Sequence, residues 1–371
     1  MNNNFINVAT PTVSEEEVEA VRKVLLSGHY ASGPIVAEFE QNFAEYVGTK
    51  FAVAVNSGTA ALHIAMEAMG VGPGDEVIVP PLTFFATVSA VLYLGAKPIF
   101  ADIDKDDLCL SPKSVEDHIT EKTKVILPVH LFGSPAKMDD FVHLADKYSV
   151  LLLEDCAQAH GSEFKGKKVG NIGDVGAFSF FATKHMTTGE GGIITTNDSA
   201  IAKQCKCIRS HGMSGRDDHV RLGFNNRMTE IEAAMGIVQL KKLDDLNSKR
   251  IDNSKKILEA VRRLPWAHVP VSNAIKENVH TYFWCPVMVK PESGKSIEDL
   301  KVHLNENYIG FRHRYAEPLY KQPVLKKYGH EYSDIFFKNV EEVAGNVIGL
   351  PNHPLLQQHE LDKIVSVLQK F

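Results

Sequence analysis

Lys184 sits in the stretch Ala177 to Ile194, AFSFFATKHMTTGEGGII, which is otherwise poor in charge. An apolar segment, Ala177 to Phe181, leads into it. Thr187, Thr188, Gly189, Gly191 and Gly192 follow, and Ile193 and Ile194 resume an apolar segment. Lysines belong on solvated faces. One held between two buried strands and a glycine turn loses water, and a desolvated amine has a lowered pKa. Such an amine is nucleophilic near neutral pH and suits a Schiff base with a carbonyl compound. The stretch also fits a surface lysine in a hairpin loop, and by itself it does not separate the two.

Further polar groups fall at the ends of other apolar runs. Asn56-Ser57-Gly58-Thr59 joins a predicted strand to a predicted helix. Ser57, Gly58 and Thr59 at a helix N-terminus present free N–H groups to a phosphate; they also fit a plain N-cap. The pattern is neither a GxGxxG nor a P-loop, which argues against a dinucleotide or ATP site. Phe84 follows the run EVIVP and is placed to stack on a flat ring, whereas Phe85 reads as core. Asp155 ends the run VLLLED. A carboxylate there is costly unless paired, and a protonated ring nitrogen would pair with it. Gln158 is within reach of a ring oxygen, and His160 lies near the same place. The alternatives are a helix cap for Asp155 and a packed histidine for His160. Ser179, on the strand before Lys184, faces either a phosphate or a backbone carbonyl. Together these are the parts of a pyridoxal 5'-phosphate site.

Elements of two kinds must position these residues. From Lys50 onward, short β-branched runs (52–55, 76–80, 98–102, 124–130, 150–155) alternate with helical stretches such as Ala60 to Met69, Phe84 to Leu94 and Met138 to Tyr148. That pattern predicts an α/β fold with a mostly parallel sheet covered on both faces. Active sites in such sheets gather at the C-terminal ends of the strands. Before it, residues 1 to about 46 read as an arm, with Ser14 and Glu17 forming a capping box. After it, a long helix is expected from Thr229 through Arg262, broken near Leu243 to Leu246. The domain expectation is residues 1–245 for the arm and large domain, and 246–371 for a smaller α+β domain.

Composition narrows the function classes. The 371 residues carry a formal charge of −6, which gives no reason to expect nucleic acid or an anionic membrane as a partner. Five scattered cysteines make no zinc pattern and read as reduced thiols, so no metal is expected and a cytoplasmic location is. The start lacks a signal-peptide pattern, and no apolar run approaches the length of a membrane span.

Several longer motifs stand in a familiar order: SGHYASGPIVAEFE, NSGTAALH, GPGDEVIVPPLTFFATVSAV, EDCAQAHG, SFFATKHMTTGEGG and RLGFNNRMTEIEAAMG. With these the chain resembles the DegT/DnrJ/EryC1/StrS sugar aminotransferases, of aspartate aminotransferase fold type I, over nearly its whole length. The resemblance implies a three-layer pyridoxal-phosphate transferase domain with a smaller C-terminal α+β domain. It implies that Lys184 carries the cofactor covalently, Asp155 pairs with the ring nitrogen, Gln158 meets the ring hydroxyl and Phe84 stacks on the ring. Ser57, Gly58, Thr59 and Ser179 would hold the phosphate, joined by Asn225 from the neighbouring subunit of a homodimer. For the substrate, Arg227, Tyr30, His160, Arg314 and Tyr315 are the candidate contacts, with His185 beside the lysine. A branch of this fold places histidine at the lysine position and dehydrates sugars; here Lys184 fills that position and His185 the next, which favours transamination. The implied reaction takes an amino group from L-glutamate to a keto sugar linked to a nucleoside diphosphate. A cyclitol acceptor and a non-catalytic sensor are the rival expectations.

Overall fold

The computed structural model describes residues 5–271, 276–330, 332 and 334–371. Helix α1 (Glu15–Ser27) begins with the expected capping box, in which Ser14 N donates to Glu17 Oε2 at 2.8 Å. Helix α2 (Pro34–Val47) starts on a proline, whose missing N–H costs nothing in a first turn. Then β1 (Phe51–Val55), α3 (Gly58–Ala68), β2 (Glu76–Val79), α4 (Ala86–Tyr93), β3 (Lys97–Phe100), α5 (Pro112–Glu116), β4 (Thr123–Ile126), α6 (Met138–Tyr148) and β5 (Leu151–Asp155) follow. A small hairpin, β6 (Glu163–Phe164) with β7 (Lys167–Lys168), leads to β8 (Val175–Ser179), β9 (Gly192–Thr196) and α7 (Ser199–Ile208).

Seven of these strands form one sheet in the order β1-β9-β8-β5-β4-β2-β3. β9 is antiparallel to both its neighbours, and the other pairings are parallel. The pleat shows why the strands read as continuous apolar runs. Val53, Val55, Ala177 and Ile194 point into one core with α3, α4 and α6. Ala52, Ala54, Phe178 and Ile193 point into another, against α2 and the long helix that follows. Successive residues face opposite layers and both layers are dry, so alternation disappears from the sequence.

A hairpin, β10 (Met213–Gly215) with β11 (Asp218–His219), precedes α8 (Glu230–Val261). The break expected near Leu243 to Leu246 is absent: α8 runs unbroken for 32 residues. Leu243 and Leu246 are both buried on it, so the apolar stripe continues through the point of the expected interruption. Beyond it come β12 (Ala267–His268), β13 (Cys285–Val289), α9 (Ile297–Glu306), α10 (Pro323–Lys327), α11 (Lys338–Val343), β14 (Val347–Leu350) and α12 (Gln358–Lys370). β12, β13 and β14 form a second, antiparallel sheet. It shares a core with the last turns of α8, with α9 and with α12. Among the described residues no helix is long and apolar enough to cross a membrane.

Candidate active site

A cavity of about 450 Å³ opens at the C-terminal edge of the large sheet. The loops after β1, β2, β5 and β8 bring Ser57, Gly58, Thr59, Phe84, Asp155, Gln158, Ser179 and Lys184 to its wall, and Arg314 and Tyr315 reach it from the C-terminal part of the chain. A slightly larger cleft of about 490 Å³ lies elsewhere, between Ser134 and Tyr282, and holds none of these residues.

Lys184 is carried by a closed turn. Its backbone N–H donates to Phe181 O at 2.9 Å, and Thr188 N and Thr187 Oγ1 both donate to Phe180 O at 3.0 Å. The side chain is half-buried, on the cavity wall. Loss of water lowers its pKa to about 8, with the Asp155 charge opposing the shift. A useful fraction of the amine is therefore neutral near pH 7, as a nucleophile requires. Its Nζ lies 4.6 Å from the centroid of the Phe283 ring.

Asp155 is buried at the end of β5. Thr87 Oγ1 donates to its Oδ2 at 2.9 Å and Ala157 N to its Oδ1 at 3.1 Å. Burial raises its pKa, against those two bonds and the charge of Lys184. Gln158, also buried, accepts from Phe132 N at 3.0 Å through Oε1 and donates from Nε2 to Tyr315 Oη at 3.0 Å. Tyr315 holds a left-handed backbone, φ 61°, a costly conformation for a bulky residue, and burial pushes its hydroxyl pKa up to about 12.

The phosphate candidates meet where α3 begins. Ser57 is the N-cap, accepting from Ala60 N at 3.1 Å, and the first N–H groups of a helix have no intrahelical acceptor. Gly58 approaches β8 so closely that a Cβ there would lie 2.6 Å from Ser179 Cβ. One at Gly192 would lie 2.4 Å from Ser57 O. Only glycine permits this approach, and it sets the Ser179 hydroxyl beside the helix start. Phe84 is 59% exposed, its ring free toward the cavity.

Other sequence candidates lie outside this wall. His160 and His185 are fully buried and pack on one another with ring centroids 5.5 Å apart; Phe178 and Phe180 enclose the first and Phe283 the second. Burial lowers the His160 pKa to about 3, and that of His185 well below the usual value. Tyr30 is exposed and donates to Leu25 O at 3.1 Å. Asn225 is exposed, and Arg227 bridges to Val55 beside the end of β1. Of the run Arg312 to Tyr315, the first two residues turn to β14 and Gly345.

Thr83, Thr87, Phe283, Trp284, Phe181 and Glu190 also stand on the cavity wall, and none of them is among the candidates read from the sequence. Thr87 was within reach, since it follows Phe84 by three residues at a helix start, and Thr83 lies four residues before it. Phe283 and Trp284 had no local signal: they enter β13 about a hundred residues after Lys184.

Comparison with known proteins agrees with this geometry. The sequence profile of the DegT/DnrJ/EryC1/StrS aminotransferase family matches residues 11–369. GDP-perosamine synthase of Escherichia coli O157:H7 is 36% identical, over 99% of this chain and 98% of that protein. An aminotransferase structure from Psychrobacter cryohalolentis superposes with a TM-score of 0.93 at 33% identity, covering 98% of each chain. Spr1654 of Streptococcus pneumoniae in its PLP-form superposes with a TM-score of 0.91 at 29% identity, over 99% of this chain and 98% of that one. With its match running almost end to end and a half-buried lysine sharing one cavity with a buried aspartate, the chain belongs to the DegT/DnrJ/EryC1/StrS aminotransferase family, enzymes that use pyridoxal phosphate.

Proposed function

We propose that this aminotransferase moves the amino group of L-glutamate to a keto sugar carried on a nucleoside diphosphate, first of all a 4-keto-6-deoxyhexose, in amino-sugar and surface-polysaccharide synthesis. The observation that carries the chemistry is the pairing of Lys184, its amine pKa lowered to about 8, with Asp155 in one cavity. The sugar rests on the likeness to a synthase named for GDP-perosamine. A keto sugar on another carrier, or a cyclitol, is the alternative acceptor.

The cavity residues fit pyridoxal phosphate. Asp155 keeps acceptor capacity in a dry site, which a ring N–H would satisfy. Ser57, Gly58, Thr59 and Ser179 offer donors to a phosphate where a Cβ at Gly58 would not fit. Lys184 would hold the cofactor through its amine, Gln158 would meet the ring hydroxyl and Phe84 would lie on the ring. Once bound, the cofactor supplies an electron sink for a carbanion. Asp155 would hold a proton on the ring nitrogen. Lys184 Nζ would take the α-proton and return it, as general base and then acid. A neutral fraction of the amine at working pH is what that exchange needs.

Substrate contacts are assigned to Arg314 and Tyr315, whose cation and ring suit a diphosphate and a base. His160 and His185, with no free surface, are assigned to the wall behind Lys184. The reading includes a homodimer in which Asn225 and Arg227 of a second copy complete the site, with Tyr30 near the same junction. In support, Leu222, Phe224 and Tyr93 form exposed apolar surface near them, with Phe224 and Tyr93 both packed on His63. The five cysteines are free thiols, in keeping with the proposed cytoplasmic site of action. The division at residue 245 is kept as a working boundary, although α8 crosses it.

The test is the visible spectrum of the protein with pyridoxal phosphate, before and after L-glutamate, with Lys184→Ala alongside. A lysine-dependent band that glutamate converts to the amine form supports the reading. A band that ignores glutamate points to another donor. No band, or one that survives in Lys184→Ala, sinks the enzyme assignment made for Lys184. Turnover with nucleoside-diphosphate keto sugars against an inosose then decides the acceptor.

A further inference from the structure

Phe283 belongs to neither the large sheet nor any loop that carries the other catalytic candidates. It enters β13 of the antiparallel sheet and is brought back against the lysine turn by backbone bonds. Phe283 N donates to Phe132 O at 2.7 Å, and Thr281 N to Gly133 O at 3.2 Å. Tyr282, between them, is forced to φ 51°, and Phe132 to φ 56°. Two bulky residues in the left-handed region next to one another is a cost that the surrounding packing must hold in place. What this fixes is one ring. Phe283 stacks on Trp284 at 4.8 Å with planes 25° apart, and its other neighbour is His185, at 5.8 Å. The Lys184 amine sits 4.6 Å from the centroid of that clamped ring, inside the range of a cation–π contact.

We propose that Phe283 is a positioning residue for Lys184: its ring receives the Nζ amine whenever that amine is not bonded to the cofactor, and stabilises the protonated form. This rests on the assignment of Lys184 as the cofactor lysine. The ring opposes the effect of burial, which favours the neutral amine. A lysine that must leave the cofactor, carry a proton and return needs a resting place within reach, and a flexible four-carbon stem does not supply one unaided. An aromatic face supplies it with a weaker hold on the proton than a directly paired carboxylate would have. The other charged or titratable groups facing Lys184 are Asp155, Glu190, Arg314 and Tyr315 on the cavity wall, with His160 and His185 behind. Of these, His185 packs on the Phe283 ring itself.

The experiment uses the full-length protein stripped of cofactor, with acetic anhydride as a trace amine label and peptide mass spectrometry to follow Lys184 across pH. The midpoint of its labelling profile reports the amine pKa without turnover or any substrate. Phe283→Leu, which keeps burial but removes the ring, is expected to lower the midpoint by roughly half a unit to one unit. Phe283→Tyr is expected to keep it. Pentafluorophenylalanine at position 283 preserves shape and reverses the charge of the ring face, so it should lower the midpoint as leucine does, and it decides the matter if the leucine variant fails to fold. A wild-type midpoint retained in the fluorinated protein overturns the proposal. A lowered midpoint in a protein that ignores glutamate keeps the role of Phe283 and removes the donor assignment instead.

Discussion

Glu154 and Asp155 are neighbours in β5, and the pleat sends their carboxylates to opposite faces of the sheet. On the closed face, Glu154 Oε2 accepts from His130 Nε2 at 3.0 Å and Gly170 N at 2.9 Å, while Oε1 accepts from Ile172 N and Gly173 N at 2.8 Å each. Ala136 N donates to His130 Nδ1 at 3.0 Å, which leaves the ring proton on Nε2. A carboxylate takes about four hydrogen bonds, so Glu154 has nothing left to offer. Across the sheet, Asp155 holds, among the described residues, the Thr87 hydroxyl and Ala157 N, and it lines the cavity. Both groups are buried, so burial does not tell a structural acid from a functional one. Leftover bonding capacity at a cavity does.

Exchanging one oxygen for nitrogen on each face separates the two roles. Asp155→Asn removes a charge that the fold can spare and that, on the proposed reading, the cofactor needs. The glutamate half-reaction is expected to slow by about 10²- to 10³-fold, the effect of removing a preorganised electrostatic partner. Its melting temperature should stay close to the wild type. Single-turnover spectra and a melting curve on the same preparation measure both. Full activity in this variant would break the comparison.

Glu154→Gln should do the opposite. The new NH₂ faces donors, so two of His130 Nε2–H, Gly170 N–H, Ile172 N–H and Gly173 N–H lose their acceptor. Each buried group left unpaired costs about 1–3 kcal/mol. The melting temperature is expected to fall by several degrees or more, with the half-reaction rate per folded molecule little changed. A variant with wild-type stability would show that the closed face tolerates unpaired donors.

Thr87→Val sharpens the contrast from within the site. It keeps shape and removes the one side-chain donor to Asp155, along with the Thr83 to Thr87 hydroxyl contact at 3.2 Å. The loss of a hydrogen bond to a charged group, about 1.5 kcal/mol, predicts roughly a tenfold slower half-reaction. It also predicts weaker cofactor retention, read by spectroscopic titration. No such effect would place the burden of orienting Asp155 on Ala157 N alone.

The sequence exposed much of this architecture, for reasons that follow from geometry. The seven main strands and the helices between them are long enough, and dry enough on both faces, to mark themselves as apolar runs. Lys184 and Asp155 stood out because each breaks such a run with charge. Glu154 stood next to Asp155 and offered the same signal, yet its four donors come from residues 130 and 170–173 and could not be seen locally. The expected break in α8 failed because the polar residues there lie on the solvent side of an uninterrupted stripe. His160 and His185 look functional beside Asp155 and Lys184, but their positions in the chain turn them into the core behind the cavity. Phe283 and Trp284 reach the cavity only because a separate sheet folds back on the first.

The smallest effect expected is on the stability of the cofactor-free protein as pH changes. Burial raises the folded pKa of Asp155 above its unfolded value of 3.8. The folded state therefore holds this proton more tightly than the unfolded chain does. Below pH 3.8 both states are protonated, and the group's preference for the folded state is fully present. As pH rises, the unfolded chain ionises first and that preference is lost, until the folded group ionises too. Asp155→Asn is neutral throughout and carries no such loss. Urea midpoints of the two cofactor-free proteins should therefore diverge from about pH 4 toward neutrality, with the variant gaining on the wild type. Pyridoxal phosphate should close the gap, because on the proposed reading its ring N–H would pair with the Asp155 carboxylate. Curves that stay parallel in its absence would mean that Asp155 already finds enough donors on its own side of the sheet, and that the two faces of β5 differ less than their hydrogen bonds indicate.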